Sequence, residues 1–245
     1  MARGAALVKT EVNRGDCLEV MRTMEAASFD LVYLDPPFCT GVVQRSGTRA
    51  FSDQWADMKA YVVYMRERIE EVHRVLSPTG SILLHCDWRT CHRLRVELDD
   101  VFGADHIVNH LIWRYGLGGS SPKGFARKHD DILFYARGET WFFEPPLVPA
   151  TSNRLKGKTK KATDVLDVPA INNMAKERVG WPTQKPLALL ELLVEACCPP
   201  GGRVLDPFCG SGTTLLAAQR TGRHAVGVDA SEDAVAIAQA RLAQA

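Results

Sequence analysis

No stretch of this chain approaches the ~20 consecutive apolar residues that a membrane-spanning helix requires. The N-terminal "MARGAALVKTEV" also lacks the hydrophobic core of a secretory signal. Charge of one sign is not in excess: 30 Lys and Arg face 29 Asp and Glu, a net charge of +1, so any surface for a polyanion must be local. Cysteine pairs of the C-x-x-C type are missing. The seven cysteines (17, 39, 86, 91, 197, 198 and 209) are scattered, and "HCDWRTCH", residues 85 to 92, spaces its Cys and His unlike the usual zinc patterns. The sequence therefore predicts reduced thiols, no bound metal and a soluble, cytoplasmic protein without a membrane partner. The dipeptide Pro-Cys does not occur, which argues against a cysteine nucleophile attacking carbon 5 of a pyrimidine. No internal repeat is visible.

What is present is the alternation of an α/β protein. With 245 residues, 46% of them hydrophobic, the chain suits one large domain, 1 to 245. The run "FDLVYLD" is followed by Met58, Val62, Met65, Ile69, Val72 and Leu76 at helical spacing, then by the turn "SPTG" and the run "SILLHCD". That is β-α-β. A second helix carries Cys91, Leu94, Leu98 and Val101 on one face, and strands follow at "HIVNHLIWRY" and "DDILFYAR". The last third repeats the rhythm: a helix from Pro186, the strand "RVLDPF", a helix from Thr213, the strand "HAVGVD" and a helix to Ala245. Strands this apolar are covered on both faces, which predicts a mainly parallel sheet between helices. Residues 139 to 178 lose the rhythm, and within them "TSNRLKGKTKK" carries five basic residues and no acidic one.

Two segments carry chemistry. In "DPFCGSGTT", residues 206 to 214, a strand ends, Gly210 and Gly212 allow a tight turn, and a helix begins whose N-terminal amides face any ligand. Asp229, seventeen residues past Gly212 at the tip of the next strand, is placed to accept hydrogen bonds from both hydroxyls of a ribose. Leu215 stands where a dinucleotide site has its third glycine, and no basic side chain follows closely. A nucleoside without a diphosphate fits better than NAD.

The second segment is "LDPPFCTG". Pro36 and Pro37 remove two backbone donors and keep their carbonyls, so this strand tip is a cluster of acceptors. Such a cluster suits an exocyclic amine on a nucleobase. Asp35 and the Pro36 carbonyl are placed to hold its two hydrogens and aim its lone pair at an electrophile, with Phe38 as the ring on which the base stacks. A base inside a duplex would first have to flip out, at a cost of a few kcal/mol.

Together, "DPPF" and "DPFCGSGTT" resemble the motifs of the amino-methyltransferases that move a methyl group from S-adenosylmethionine to an exocyclic nitrogen of DNA. The catalytic motif comes first and the Gly-rich loop last, which resembles the permuted beta group of adenine-N6 and cytosine-N4 enzymes. The resemblance spans nearly the whole chain. It implies a Rossmann-like class I methyltransferase fold in circularly permuted motif order, with S-adenosylmethionine as cofactor and double-stranded DNA as substrate. It places Asp206, Phe208, Cys209, Gly210, Ser211, Gly212 and Thr213 under the cofactor and Asp229 on its ribose. "RGDCLEVM" is similar to the segment whose acid, here Asp16 beside Cys17, approaches the cofactor's adenine. "GWPTQKPLALLELL" is similar to the segment where Thr183, Gln184 and Lys185 border its methionine end.

Residues 139 to 178 become a short inserted target-recognition segment, and Arg154, Lys156, Lys158, Lys160 and Lys161 its phosphate contacts. A segment this short favours a homodimer on DNA, and a cognate restriction endonuclease is a compatible partner. Asp35 points to adenine N6, since Ser-Pro-Pro-aromatic is often the cytosine-N4 form; cytosine N4 stays the alternative. An RNA or protein-amide methyltransferase resembles the opposite motif order, and a NAD-dependent oxidoreductase would leave Asp35 to Phe38 without a task. His85, His129, Trp113 and Trp181 are read as structural.

Overall fold

A computed structural model describes residues 8–116, 120–150, 156–172 and 174–244. The chain opens with β1 (Thr10–Arg14), α1 (Cys17–Arg22) and β2 (Phe29–Leu34). A hairpin of β3 (Val43–Ser46) and β4 (Arg49–Ser52) precedes α2 (Met58–Val75), β5 (Leu76–Cys86), α3 (Cys91–Phe102), β6 (Ile107–Arg114) and β7 (His129–Ala136). Three short strands follow, β8 (Leu147–Pro149), β9 (Thr159–Lys161) and β10 (Val165–Asp167). The last third is α4 (Leu187–Cys197), β11 (Arg203–Asp206), α5 (Thr213–Arg220), β12 (His224–Asp229) and α6 (Glu232–Leu242).

The main sheet runs β1-β12-β11-β2-β5-β7-β6-β10, antiparallel at β5·β7 and β7·β6 and parallel at its other pairs. The continuous apolar run of β2 follows from its burial on both faces. Leu31 and Tyr33 enter the core under α4 and α5, and Val32 and Leu34 the core under α2 and α3. Each fully buried Leu, Val or Phe of these cores contributes about 1.5–3 kcal/mol. The helical stripe of α2 is rotated slightly from its expected place. Tyr61 is fully buried with Met65, Ile69 and Val72, whereas Met58 and Val62 pack only partly.

Other departures are local. The expected turn "SPTG" is the bulged start of β5, where Gly80 lies so close to the Phe29 carbonyl that a Cβ would stand 2.8 Å from its oxygen. The last helix ends at Leu242 rather than Ala245. Residues 139 to 178 are not without structure: β8 and β9 form a hairpin, and β10 extends the main sheet beside β6. No helix among the described residues is long and apolar enough to cross a membrane.

The order of the strands positions the site. β11 leads through α5 to β12 on one side, and β2 leads through α2 to β5 on the other. The chain thus leaves two neighbouring strands in opposite directions, and an open α/β sheet forms its ligand crevice at the carboxyl ends of such a pair. Asp206 and Asp35 lie at those ends, which brings together two motifs about 170 residues apart.

Candidate active site

A cleft of about 290 Å³ opens at this switch point, walled by Asp35 to Phe38 after β2, the loop after β11, Asp229 after β12, Trp181 and Thr183 to Lys185 ahead of α4, and Asp16 and Cys17 at α1. The Gly-rich loop depends on its glycines. Gly210 has φ 48° and a Cβ there would lie 2.9 Å from the Trp181 indole nitrogen; Gly212, with φ 75°, caps α5 and abuts Ala238. Arg241 of α6 holds the loop from behind, donating to the Ser211 carbonyl at 2.7 Å and to Thr213 Oγ1 at 3.0 Å.

Two carboxylates anchor the loop. Asp206 is buried and accepts from the Phe208 N–H at 3.1 Å. Burial pushes its carboxyl up to about 7, and the charges of Asp35 and Asp229 add to the rise, against hydrogen bonds from Thr214 and Phe208. Asp229 accepts from Gly210 N–H at 2.9 Å and Ser231 N–H at 2.8 Å, one donor on each oxygen. Burial raises its carboxyl too. Each oxygen keeps a lone pair for a ligand hydroxyl.

The Asp35 side of the cleft contains an ion pair that the sequence does not announce. Lys185 Nζ lies 2.7 and 2.6 Å from the two Asp35 carboxylate oxygens, with little of either side chain exposed. The same ammonium is 5.0 Å from the centre of the Phe38 ring. Phe38 itself stacks on His85, centroids 5.6 Å apart and planes at 27°, so one of its faces is taken. His85 is buried between the Tyr33 hydroxyl, 2.6 Å from Nδ1, and Asp130, 3.2 Å from Nε2. The ring supports Phe38 from below, which agrees with a structural role. Beyond Phe38 the chain is caught by buried Asp53, which accepts from Cys39 N–H at 2.7 Å, Thr40 N–H at 3.0 Å and the Thr40 hydroxyl. This clamp steadies Cys39 in a left-handed conformation, φ 57°.

The remaining predicted residues divide. Asp16 lines the cleft, but its carboxylate caps α1 at Leu18 N–H, 2.8 Å, and pairs with buried Arg68 at 2.8 Å. Cys17 is buried at the wall, and burial pushes its thiol up to about 11. Thr183 faces the cleft with φ 58°, while the Gln184 amide ties its own loop together through Val179 N–H and the Glu177 carbonyl. Trp113 is core, donating to the Val168 carbonyl; Trp181, expected to be structural only, is buried and also forms cleft wall beside Thr183. His129 begins β7 with its side chain outside the cleft lining.

In the basic run, Arg154 lies outside the described residues, and Lys156, Lys158, Lys160 and Lys161 are exposed. Their hairpin is tied to the far end of α4, where Glu144 N–H donates to the Ala196 carbonyl, roughly 16 Å of helix from Lys185. None of these lysines lines the cleft. At the cleft's own end of the sheet stands a cationic, aromatic patch that the sequence reading missed. Half-exposed Trp88, just after β5, has the Arg127 guanidinium 3.9 Å and that of Arg89 5.0 Å from its ring centre, and Arg89 also pairs with Asp87. The signal was present as an aromatic beside arginine, but Arg127 lies 39 positions away.

Comparison with known proteins agrees with this geometry. The family described as DNA methylase (N6_N4_Mtase) matches residues 29–240. The chain is 29% identical over 249 residues to the Type II methyltransferase M.ScaI of Streptomyces caespitosus, covering 93% of this chain and 79% of that protein. It is 28% identical over 232 residues to the Type II methyltransferase M.HpaI of Haemophilus parainfluenzae, covering 93% and 72%. Among solved structures, the PvuII DNA methyltransferase (cytosine-N4-specific) superimposes with a TM-score of 0.74 at 17% identity over 96% of this chain and 87% of that one. The M1.HpyAVI–SAM complex does so with 0.68 at 19% identity, over 95% and 98%. These two likenesses show the fold.

The chain therefore belongs to the N6/N4 DNA methylase family, as the motifs and their permuted order led one to expect. It is an S-adenosylmethionine-dependent DNA amino-methyltransferase of the adenine-N6 or cytosine-N4 type. The cleft suits that donor: three carboxylates, Asp35, Asp206 and Asp229, surround a space fit for a cationic nucleoside, and at Gly210, packed against Trp181, the loop offers bare backbone to it.

Proposed function

We propose that this protein methylates adenine N6 of a flipped-out base in double-stranded DNA, with residues 1 to 245 as one catalytic domain and 139 to 178 as its short target-recognition segment. The observation that carries the reading is Asp35, an acceptor at the switch point whose carboxylate is oriented by Lys185 and whose following residues are clamped by Asp53. S-adenosylmethionine supplies an electrophilic methyl group on a cationic sulfur. Everything else is orientation by the chain.

Asp35 accepts one hydrogen of the amine and the Pro36 carbonyl the other, which localises the lone pair on nitrogen and stabilises the positive charge that develops there. Lys185 holds the Asp35 carboxylate in place through both of its oxygens, and the Phe38 ring, backed by His85, receives the base. The surplus proton leaves to water, so no general base is needed. Asp229 and the loop 206 to 213 bind the donor's nucleoside end; Asp16, Cys17, Thr183 and Gln184 complete the wall around it.

The duplex must approach the carboxyl edge of the sheet, where Arg127 and Arg89 flank Trp88. We assign the primary phosphate contacts to that patch and secondary ones to Arg154, Lys156, Lys158, Lys160 and Lys161. Two of the relatives are Type II methyltransferases, which supports a cognate restriction endonuclease as partner, and a second copy of the chain would lengthen the contact with DNA. Such an enzyme works in the cytoplasm. The preference for adenine rests on Asp35, since a carboxylate at this position resembles the adenine-N6 form. The test is expression in a methylation-free host, digestion of the DNA to nucleosides and mass spectrometry. N6-methyladenine is expected; N4-methylcytosine in its place overturns the base assignment, and unmodified DNA overturns the reading.

A further inference from the structure

Away from the cleft, the sheet face under the start of α3 gathers three side chains with metal-ligand chemistry. Asp131 on β7 pairs with Cys86 on β5 and with Ile112 on β6, so His110, two residues from Ile112, lies diagonally beside it on the same face. Cys91, the first residue of α3, descends onto them, its Sγ 3.7 Å from His110 Nε2. That nitrogen is 2.7 Å from Asp131 Oδ1, and the three donor atoms all lie within 4.8 Å of one another.

The separations decide what the cluster can hold. In a tetrahedral zinc site with bond lengths of about 2.3 Å to sulfur and 2.0–2.1 Å to nitrogen and oxygen, donors stand about 3.5 Å (S to N) and about 3.3 Å (N to O) apart. The sulfur-to-nitrogen distance is within about 0.2 Å of that value, and the His–Asp distance has to open by about 0.6 Å. Thiolate, imidazole and carboxylate together form a borderline-soft donor set that selects zinc over magnesium or calcium.

We propose that Cys91, His110 and Asp131 form a zinc(II) site, with water in the fourth position. Asp131 is buried and fixed in the sheet, whereas His110 is partly exposed, which gives the ion an entry path. Binding releases the Cys91 thiol proton and leaves the His110 ring proton on Nδ1, so that Nε2 offers its lone pair. The ion would fasten α3 to β6 and β7, and with them the turn after β5 that carries Trp88. Residue spacing could not show such a site, because two of its three ligands lie outside "HCDWRTCH".

The test uses the untagged full-length protein, stripped with a chelator and titrated with Zn(II) against a chromophoric competitor. A parallel titration with Co(II) follows the near-ultraviolet thiolate-to-metal band. One equivalent should bind, the cobalt band should appear, and Cys91→Ser and His110→Ala should each weaken zinc by at least about 10–100-fold, the loss typical even of outer partners of a metal ligand. S-adenosylmethionine affinity should stay the same in both variants, which shows them folded. Absence of the thiolate band in the wild type, or equal zinc affinity in the two variants and the wild type, overturns the site and leaves the cluster a hydrogen-bonded triad.

Discussion

Asp206 predicts an unusual response of stability to pH. Its carboxyl titrates at about 7 in the folded protein, because burial and the neighbouring carboxylates penalise the charged form, against 3.8 for an ordinary aspartate. Between those values the native state keeps a proton that the unfolded chain has released, so this group's contribution is full below about pH 4 and is lost as pH rises through 7. The gap of about three units corresponds to about 4 kcal/mol at 1.36 kcal/mol per unit, and the part falling between pH 5.5 and 7 to about 2 kcal/mol. Asp206→Asn imitates the protonated carboxyl: its oxygen still accepts from Phe208 N–H, and its amide can donate to Thr214. Urea unfolding of both proteins at pH 5.5 and 8.5 isolates the effect from Asp229 and Asp87, whose carboxyls burial also raises. The wild type should lose about 2 kcal/mol relative to the Asn variant over this range. Equal pH dependence in the two proteins refutes the reasoning. A cationic ligand beside Asp206 favours its ionised form, so calorimetry in buffers of different ionisation enthalpy should detect proton release on binding S-adenosylmethionine below pH 7, and less of it in Asp206→Asn.

Asp35→Asn should slow methyl transfer by about 10²–10³-fold, the loss typical of one preorganised electrostatic contact, while calorimetric affinity for S-adenosylmethionine stays within about threefold; an active variant overturns the role of Asp35. Lys185→Met leaves the Asp35 carboxylate unpaired in a largely buried place and should lower stability by about 1–3 kcal/mol, read by urea unfolding, with a comparable fall in activity. Asp229→Ala should weaken S-adenosylmethionine binding by about 1–3 kcal/mol, and unchanged affinity in a folded variant removes it from the site. Replacing Trp88 and Arg127 with alanine should flatten the dependence of log DNA affinity on log salt by about one unit of slope, more than replacing Lys158, Lys160 and Lys161 does; the opposite order moves the main phosphate contact to the hairpin.

What the sequence disclosed follows a physical division. Gly210, Gly212, Pro36 and Pro37 were readable because each imposes its geometry within a few residues: a left-handed turn against Trp181, or a strand tip without donors. Both motifs therefore announced themselves, and the long apolar runs of β2 and β5 announced the covered sheet between them. By contrast β1, α1 and the β3–β4 hairpin are short, their exposure mixed, and no periodicity survives in four to six residues. The pairings that orient the site were illegible for another reason. Lys185 is 150 positions from Asp35, Asp53 is 14 from Cys39, and Asp130 is 45 from His85; charges are matched by the fold, not by the chain. The same division explains why the basic run attracted the DNA assignment while Trp88 and Arg127 did not. Five cations in eleven residues are visible in one dimension, whereas two arginines around one ring exist only once β5 and β7 lie side by side. A duplex meets the folded surface, so its contacts are set by nearness to Asp35, and that criterion favours the patch.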